Sequence, residues 1–204
     1  VMDGLKPSQR KILYGAILRG LDVDEVKVAQ LAGFVSDRAA YHHGEMSLNA
    51  AIIGMAQDYV GSNNIPILKP NGQFGSRLQG GKDAASPRYI WTKLSDFSKL
   101  IFNKDDIPIL NNQTEDGMKI EPEYYAPIIP MILVNGTKGI GTGFSTSIPP
   151  FNPLDIINNL LNLINGDKYK TMKPYWNKFK GTVKKVDKNN FEVYGSYTIK
   201  KDKL

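Results

Sequence analysis

The residues best suited to chemistry lie in one short basic segment. It reads Gly80-Gly-Lys-Asp-Ala-Ala-Ser-Pro-Arg-Tyr and ends at Tyr89. A tyrosine phenol can attack a phosphodiester and hold the cut strand as a phosphotyrosine, although its ordinary pKa of about 10 means that it needs help at neutral pH. Nearby cations lower such a pKa, and Arg88 can bind phosphate oxygens through two hydrogen bonds. Lys82 and His43 would add positive charge.

Each of these residues also has an ordinary interpretation. The chain has ten tyrosines, and a tyrosine is more often a packed aromatic residue than a nucleophile. Gly80-Gly-Lys-Asp83 departs from a phosphate-binding loop, because Ser76 and Asp83 replace its first glycine and its magnesium-binding hydroxyl. The glycine cluster 139–143 lacks the third glycine of a dinucleotide fingerprint, since Phe144 occupies that position, and a tight turn is favoured.

The two histidines, His42 and His43, could in principle bind a metal. No HExxH motif or suitably spaced carboxylate accompanies them, so a loop histidine that binds phosphate or caps a helix is favoured. The chain has no cysteine, which excludes disulfides, thiolate zinc sites and a cysteine nucleophile. No apolar run approaches the length of about 18 residues that a membrane span needs.

The distribution of charge suggests a polyanionic partner. The 204 residues carry a formal net charge of +6. Residues 1–102 hold 12 basic and 9 acidic residues, residues 103–166 hold 3 and 7, and residues 167–204 hold 11 and 4. The positive charge therefore lies at both ends of the chain. A basic tail is usually a solvated face, so this pattern alone is weak evidence for nucleic-acid binding.

Hydrophobic spacing predicts the elements that would position these residues. The pattern predicts a helix that starts at Pro7 and stops at Gly20, a second helix at 26–35, a polar break at 36–44 and a third helix at 45–59. This order is typical of a helix-turn-helix, although a plain helical hairpin has the same spacing. The glycine-rich stretch 61–88 loosely resembles a wing. Further predictions are a surface connection at 103–126, a β-prone run at 131–134, an amphipathic helix at 153–165 and a hairpin at 179–199.

A series of motifs, in order along the chain, resembles the breakage–reunion region of type IIA DNA topoisomerases, specifically the eukaryotic topoisomerase II branch. They are Asp3-Gly-Leu-Lys-Pro-Ser-Gln-Arg-Lys11, Lys27-Val-Ala-Gln-Leu31, Ala40-Tyr-His-His-Gly-Glu45, Ile53-Gly-Met-Ala-Gln57, Gly61-Ser-Asn-Asn64, Pro70-Asn-Gly-Gln-Phe-Gly75, the segment ending at Tyr89, Glu121-Pro-Glu-Tyr-Tyr125, Pro130-Met-Ile-Leu-Val-Asn-Gly136, Gly139-Ile-Gly-Thr-Gly143 and Ile148-Pro-Pro-Phe-Asn-Pro153.

The resemblance implies roles for individual residues. Tyr89 aligns with the nucleophile that joins a 5′ phosphate, Arg88 with the arginine that positions this phosphate, and His43 with a histidine near it. The helix from Glu45 aligns with the recognition helix, and Ile140 with an isoleucine that wedges between bases and helps to bend DNA. The predicted DNA-binding residues are Lys6, Arg10, Lys11, His42, Lys82 and Ile140.

The resemblance also implies an α+β fold, with a winged-helix domain at 1–128 followed by part of a mixed α/β tower at 129–204. In the family, ATP and Mg²⁺ are bound by domains upstream, so we expect this chain to be an internal fragment that holds no cofactor or metal residues and is inactive alone. The expected partner is double-stranded DNA, bound by a nuclear homodimer with no membrane segment. The alternatives are a non-catalytic winged-helix module and a structural domain that binds another protein.

Overall fold

The computed structural model describes residues 2–187 and 190–199, and this part of the chain mixes helices with short antiparallel strands, which confirms the α+β class. Its helices are α1 (Pro7–Leu18), α2 (Val28–Arg38), α3 (Glu45–Ala56), α4 (Asp96–Ile101), α5 (Met131–Val134) and α6 (Pro153–Ile164). Its strands are β1 (Val26–Lys27), β2 (Leu68–Asn71), β3 (Trp91–Leu94), β4 (Asn112–Glu115), β5 (Met118–Pro122), β6 (Thr137–Gly141), β7 (Phe144–Ile148), β8 (Thr182–Lys185) and β9 (Phe191–Tyr194).

Helix α1 has the boundaries that its sequence predicts. Pro7 lies in the first turn, where a missing N–H costs nothing. Gly20 follows the helix at φ +71°, which lets the Leu21 N–H donate to the Ala16 carbonyl over 3.0 Å. The buried face consists of Ile12, Leu13, Gly15 and Ala16.

Helices α2 and α3 differ slightly from their predicted ranges. The segment predicted as one helix at 26–35 begins instead with β1, because Val26 and Lys27 pair with β3. Helix α2 then continues to Arg38, past the predicted break at Ser36. Helix α3 ends at Ala56 rather than Tyr59, and four of its predicted core positions are buried: Leu48, Ile52, Met55 and Ala56.

The three helices contact one another and lie against a three-stranded antiparallel sheet with the order β1-β3-β2. The predicted short strand around Ile65 and Leu68 begins only at Leu68 and is β2. The loop 72–90 between β2 and β3 ends at the candidate nucleophile. The assignment of this unit as a winged helix stays a prediction.

The stretch 103–126 is largely exposed, as the predicted surface connection implies, but it has regular structure and one packed part that the sequence does not predict. This stretch forms a 3-10 helix (Lys104–Ile109) and the β4–β5 hairpin. The hairpin lies against α1, where the Tyr14 hydroxyl donates to the Lys119 carbonyl over 3.2 Å. Ile120 and Glu121 are only 4% exposed, so this part of an otherwise polar and acidic stretch belongs to the packed body.

The prediction of a β-prone run at 131–134 is wrong. These residues form the single helical turn α5, because the Pro130 carbonyl accepts from the N–H groups of Leu133 and Val134. Met131 and Val134, three positions apart, are buried on one face. Tertiary packing has overridden the β propensity of this run. The predicted helix at 153–165 is α6, and the predicted C-terminal hairpin is β8–β9.

One hydrophobic core extends across the predicted domain boundary near residue 128. Ile129, Met131, Val134 and Ile156 belong to the same cluster as the buried residues of α1–α3. The boundary itself stays a prediction. None of the helices in the described ranges is both long enough and apolar enough to cross a membrane.

Candidate active site

Tyr89 lies on a turn that is anchored on both sides to the start of α2. The Pro87 carbonyl accepts from the Ala29 N–H over 3.1 Å, and the Ile90 carbonyl accepts from the Val28 N–H over 3.0 Å. Within the turn, the Tyr89 N–H donates to the Ser86 carbonyl over 2.9 Å. Burial of Ile90 adds an apolar anchor. The backbone at Tyr89 is therefore held by the packed body although its side chain faces solvent.

The side chains of Arg88 and Tyr89 are exposed and uncommitted. Tyr89 is 72% exposed, which is unusual for an aromatic residue next to a fully buried isoleucine. Neither side chain forms a hydrogen bond or ion pair with the other described residues. Two positions later, the Lys27 ammonium lies 5.6 Å from the centre of the Trp91 ring. Arg88 and Tyr89 can thus meet a polyanion without breaking an internal contact.

Lys82 is carried by a loop with a defined shape. Gly81 has φ +80°, and a Cβ there would lie 2.4 Å from the Gln57 side-chain nitrogen and 2.7 Å from the Tyr59 hydroxyl. The Asp83 carboxylate accepts from the Ser76 N–H over 2.7 Å, and this hydrogen bond lowers its pKa. Asp83 therefore closes the loop, and Lys82 is exposed on its surface.

The structure brings four of the predicted site residues together around one cleft of about 480 Å³. Lys6 and Lys11 lie on the α1 side, and His42 and His43 lie on the loop 39–44 between α2 and α3. The His43 ring contacts Tyr41 edge-on, with 5.5 Å between ring centres. The two lysines and the first turn of α1 can attract phosphate, while the Glu115 carboxylate also lines this space. Arg88, Tyr89 and Lys82 are not among the lining residues of this cleft.

Arg10 and Lys11 are paired within the chain. The Arg10 guanidinium binds the buried Asp3 carboxylate, with Nε 2.7 Å from Oδ2. Burial alone would raise the pKa of Asp3, but hydrogen bonds from Arg10 and from the backbone N–H groups of Leu5 and Tyr125 outweigh it and lower the pKa. The Lys11 ammonium lies 3.0 Å from Glu121. The predicted DNA contacts of Arg10 and Lys11 are not tested by this geometry and stay predictions.

Ile140 is 95% exposed on the β6–β7 hairpin. The predicted tight turn at the glycine cluster is confirmed, because Gly141 pairs with Phe144 and Gly143 takes φ +79°. A Cβ on Gly141 would lie 2.6 Å from the Phe144 ring, so only glycine lets this ring lie across the strand. The hairpin therefore presents two apolar side chains to solvent, Ile140 and the 71%-exposed Phe144. The Ile140 side chain fits the predicted wedge role, which stays a prediction.

Within residues 2–187 and 190–199, no group of three or more His, Asp or Glu side chains is placed to hold a metal ion. The His42 ring is instead 2.6 Å from a single carboxylate oxygen of Glu115. The described residues do not fit a Mg²⁺ site. No step of the chemistry below is therefore assigned to a metal bound by this chain.

Sequence reasoning does not identify the asparagines that join the two halves of the chain. The buried Asn64 amide donates to the carbonyls of Val134, Phe151 and Tyr175 and accepts from the Asn177 N–H. Asn135 and the Ile65 backbone exchange two further hydrogen bonds. The Gly61-Ser-Asn-Asn64 motif stands out in the sequence only as part of the family resemblance. The side-chain partners of Asn64 lie 70 or more positions away and leave no local signal.

Comparisons with known proteins agree with this architecture. The family model that describes the A subunit of DNA gyrase/topoisomerase IV matches residues 1–203, and the chain belongs to this family. The predicted resemblance is thereby confirmed.

Among individual proteins, the chain is similar to DNA topoisomerase 2 of Acanthamoeba polyphaga mimivirus, with 54% identity over 98% of this chain and 16% of that protein. It is also similar to DNA topoisomerase 2 of Bombyx mori, with 58% identity over 90% of this chain and 12% of that protein. The chain thus spans only 12–16% of the length of these relatives.

A solved structure is similar as well. It is the crystal structure of the Plasmodium falciparum topoisomerase II DNA-binding, cleavage and re-ligation domain. The TM-score is 0.92 and the sequence identity 53%, over 95% of this chain and 26% of that one. At this identity, the backbone arrangement described above agrees with that of a known cleavage domain.

Proposed function

We propose that this chain is the tyrosine-bearing part of a type IIA DNA topoisomerase that cuts both strands of a duplex, passes a second duplex through the break and reseals it. The observation that carries the proposal is the Arg88–Tyr89 pair. Its backbone is anchored to α2, and its side chains are exposed and without partners among the described residues. Family membership and the similar cleavage domain support the same reaction.

In the proposed reaction the phenolic oxygen of Tyr89 attacks the scissile phosphorus. The phenol gives up its proton as a bond forms between this oxygen and the phosphorus. The bond to the 3′ oxygen breaks, and this oxygen takes up a proton and leaves as the 3′ hydroxyl. The cut strand is then held through its 5′ phosphate. Arg88 stabilises the charge that develops on the phosphate oxygens. Attack of the 3′ hydroxyl on the phosphotyrosine reverses these steps and restores the strand.

The DNA backbone would follow the cations around the cleft and the loop. Lys6, His42 and His43 line the cleft, and Lys82 is an exposed cation on the loop 72–90. Ile140 would enter the base stack and favour a bend. Because most of these contacts would be to phosphates, we expect low sequence specificity and strong salt dependence.

Other parts of the full-length protein would supply the remaining functions. We propose that it is a nuclear homodimer in which each subunit cuts one strand, and that Mg²⁺ and ATP are bound outside this chain. Mg²⁺ would polarise phosphate oxygens at the cut. One relative is named DNA topoisomerase 2, mitochondrial, so the compartment should be examined with a fluorescently tagged full-length protein.

The test is covalent trapping of DNA by the full-length protein under denaturing conditions. Tyr89→Phe should abolish the protein–DNA adduct, because the attacking oxygen is lost. Tyr169→Phe is a matched control, since this tyrosine is 71% exposed and should remain fully active. Arg88→Lys should slow cleavage by about 100-fold or more, because a single ammonium cannot replace two oriented donors.

Survival of the adduct in Tyr89→Phe would remove this residue from its proposed role. A wild-type protein that binds duplex DNA with steep salt dependence but never forms an adduct would be a binding module instead. Absence of DNA binding even at low salt would favour a domain that binds another protein.

A further inference from the structure

The β4–β5 hairpin places two carboxylates against the loop that carries His42 and His43. Glu115, at the end of β4, lies 2.6 Å from the His42 ring nitrogen Nε2. Glu121, on β5, acts on the start of this loop through Lys11, whose ammonium donates to the Ala39 carbonyl over 2.5 Å. The hairpin therefore supports the histidine loop at two points, directly at His42 and through Lys11 at Ala39.

The contacts of Lys11 leave its ammonium no donor to spare. A lysine ammonium has three N–H donors. Around it lie the Ala39 carbonyl and both carboxylate oxygens of Glu121, each of the latter at 3.0 Å. The two charged side chains are only 15% and 5% exposed. A phosphate could bind Lys11 only by displacing one of these buried partners, which would leave Glu121 or the carbonyl unsatisfied.

Lys6 lines the same cleft, but its surroundings differ from those of Lys11. It is exposed and forms no ion pair with the described residues. Lys6 can therefore meet a phosphate without losing an internal partner. Lys6 and Lys11 lie five positions apart on the same side of the cleft, so the effects of substituting them can be compared directly.

The loop needs such support because its backbone is strained. Ala40 has φ +46°, a left-handed conformation that an alanine adopts only at a cost in free energy. The Lys11 contact is made by the residue directly before Ala40, and the Glu115 contact by the residue two positions after it. The hairpin that supplies both carboxylates is itself fixed to α1 through Tyr14 and through burial of Ile120.

We propose that Lys11, Glu121 and Glu115 are positioning residues that fix the His42–His43 loop beside the cleft, and that Lys11 acts through this loop and not by binding a DNA phosphate. This inference rests on the proposed function, because its importance lies in presenting His43 to the scissile phosphate. It replaces the phosphate contact that the resemblance implies for Lys11.

The salt dependence of DNA binding by the full-length protein distinguishes the two roles of Lys11. Each phosphate contact contributes about 0.9 to the slope of log K against log salt concentration. Lys6→Met should lower the magnitude of this slope by about 0.9, whereas Lys11→Met should leave it unchanged. At saturating DNA, Lys11→Met should nevertheless reduce covalent adduct formation at least tenfold.

A rescue experiment separates positioning from phosphate binding a second time. Lys11→Met leaves the buried Glu121 carboxylate without its partner, and Glu121→Leu in addition removes this uncompensated charge. The double variant should therefore form more adduct than Lys11→Met alone. For the other contact, the His42 and Glu115 side chains are 71% and 38% exposed, so Glu115→Ala should lower adduct formation by only a few-fold. Glu115→Gln can still hydrogen-bond to His42 and should retain most activity.

Three results would overturn the inference. They are a slope in Lys11→Met that falls as far as in Lys6→Met, a double variant no more active than the single one, and full adduct formation by Glu115→Ala. If Lys11→Met does not fold, the salt dependence is measured on the double variant Lys11→Met/Glu121→Leu. A slope whose magnitude is about 0.9 smaller than that of wild type would then equally overturn the inference. Failure of the proposed function would be visible separately, because the wild-type protein would then form no adduct while the slopes could still be compared.

Discussion

Asn64→Ala should weaken the connection between the two halves of the chain more than any exposed asparagine substitution. Asn64 is 7% exposed and lies directly after the turn that follows α3. Its amide nitrogen lies 2.9 Å from the Val134 carbonyl, 3.2 Å from Phe151 and 3.0 Å from Tyr175. Its amide oxygen accepts from the Asn177 N–H over 2.7 Å. Alanine removes all of these contacts.

The loss of stability in Asn64→Ala follows from the number of hydrogen bonds that the amide makes. The amide has two N–H groups for three carbonyls, so it supplies the equivalent of two donated hydrogen bonds and one accepted bond. At a net value of about 1 kcal/mol each, the free energy of unfolding should fall by about 3 kcal/mol. With a urea m-value of about 2.5 kcal/mol/M, the unfolding midpoint should fall by roughly 1.2 M.

The assay is urea unfolding of the 204-residue chain, followed by circular dichroism and tryptophan fluorescence. Asn158→Ala, at an exposed position on α6, is the control and should change stability by less than about 0.5 kcal/mol. Asn64→Asp, which keeps the acceptor but loses both donors, should also destabilise. The reasoning would be refuted if Asn64→Ala and Asn158→Ala had the same midpoint.

Three further predictions concern single features. Ile140→Ala should change the free energy of unfolding by less than about 0.5 kcal/mol, because the side chain is 95% exposed. The same substitution should reduce DNA bending by the full-length protein, measured by energy transfer between dyes at the duplex ends. Gly81→Ala should destabilise the chain by about 1–3 kcal/mol, because a Cβ would meet Gln57 and Tyr59 and φ is +80°; unchanged thermal unfolding would contradict this. The pKa of Asp3 is lowered on folding, so its contribution is present above its unfolded pKa of about 3.9 and is lost as pH falls through the lower folded value. Asp3→Asn should therefore lose less stability than wild type between about pH 5 and pH 2 in urea titrations, and equal losses would exclude this role.

Several elements can be predicted because their information is local. Helix α1 has its start and stop residues in sequence, and α3 and α6 have apolar positions at helical spacing. The tight turn beside Ile140 follows from its glycines, although the flanking strands β6 and β7 are not predicted. By contrast, the residues of α5 predict a strand, because they become a helical turn only when Met131 and Val134 pack into the core. The residues of the β4–β5 hairpin predict only a surface connection, since burial of Ile120 and Glu121 depends on α1.

The amino-acid sequence by itself determined the identity of the chemical groups and the family to which the chain belongs. The order of its motifs is sufficient for the resemblance, and Tyr89 and Arg88 stand out through them. Only the tertiary structure decided which lysine side chains are available to bind a phosphate. Lys6 and Lys11 look alike in sequence, yet Lys6 is exposed whereas Lys11 is enclosed by Ala39 and Glu121. The physical reason is that Glu121 lies 110 positions from Lys11, so the ion pair that occupies this lysine exists only after the chain has folded.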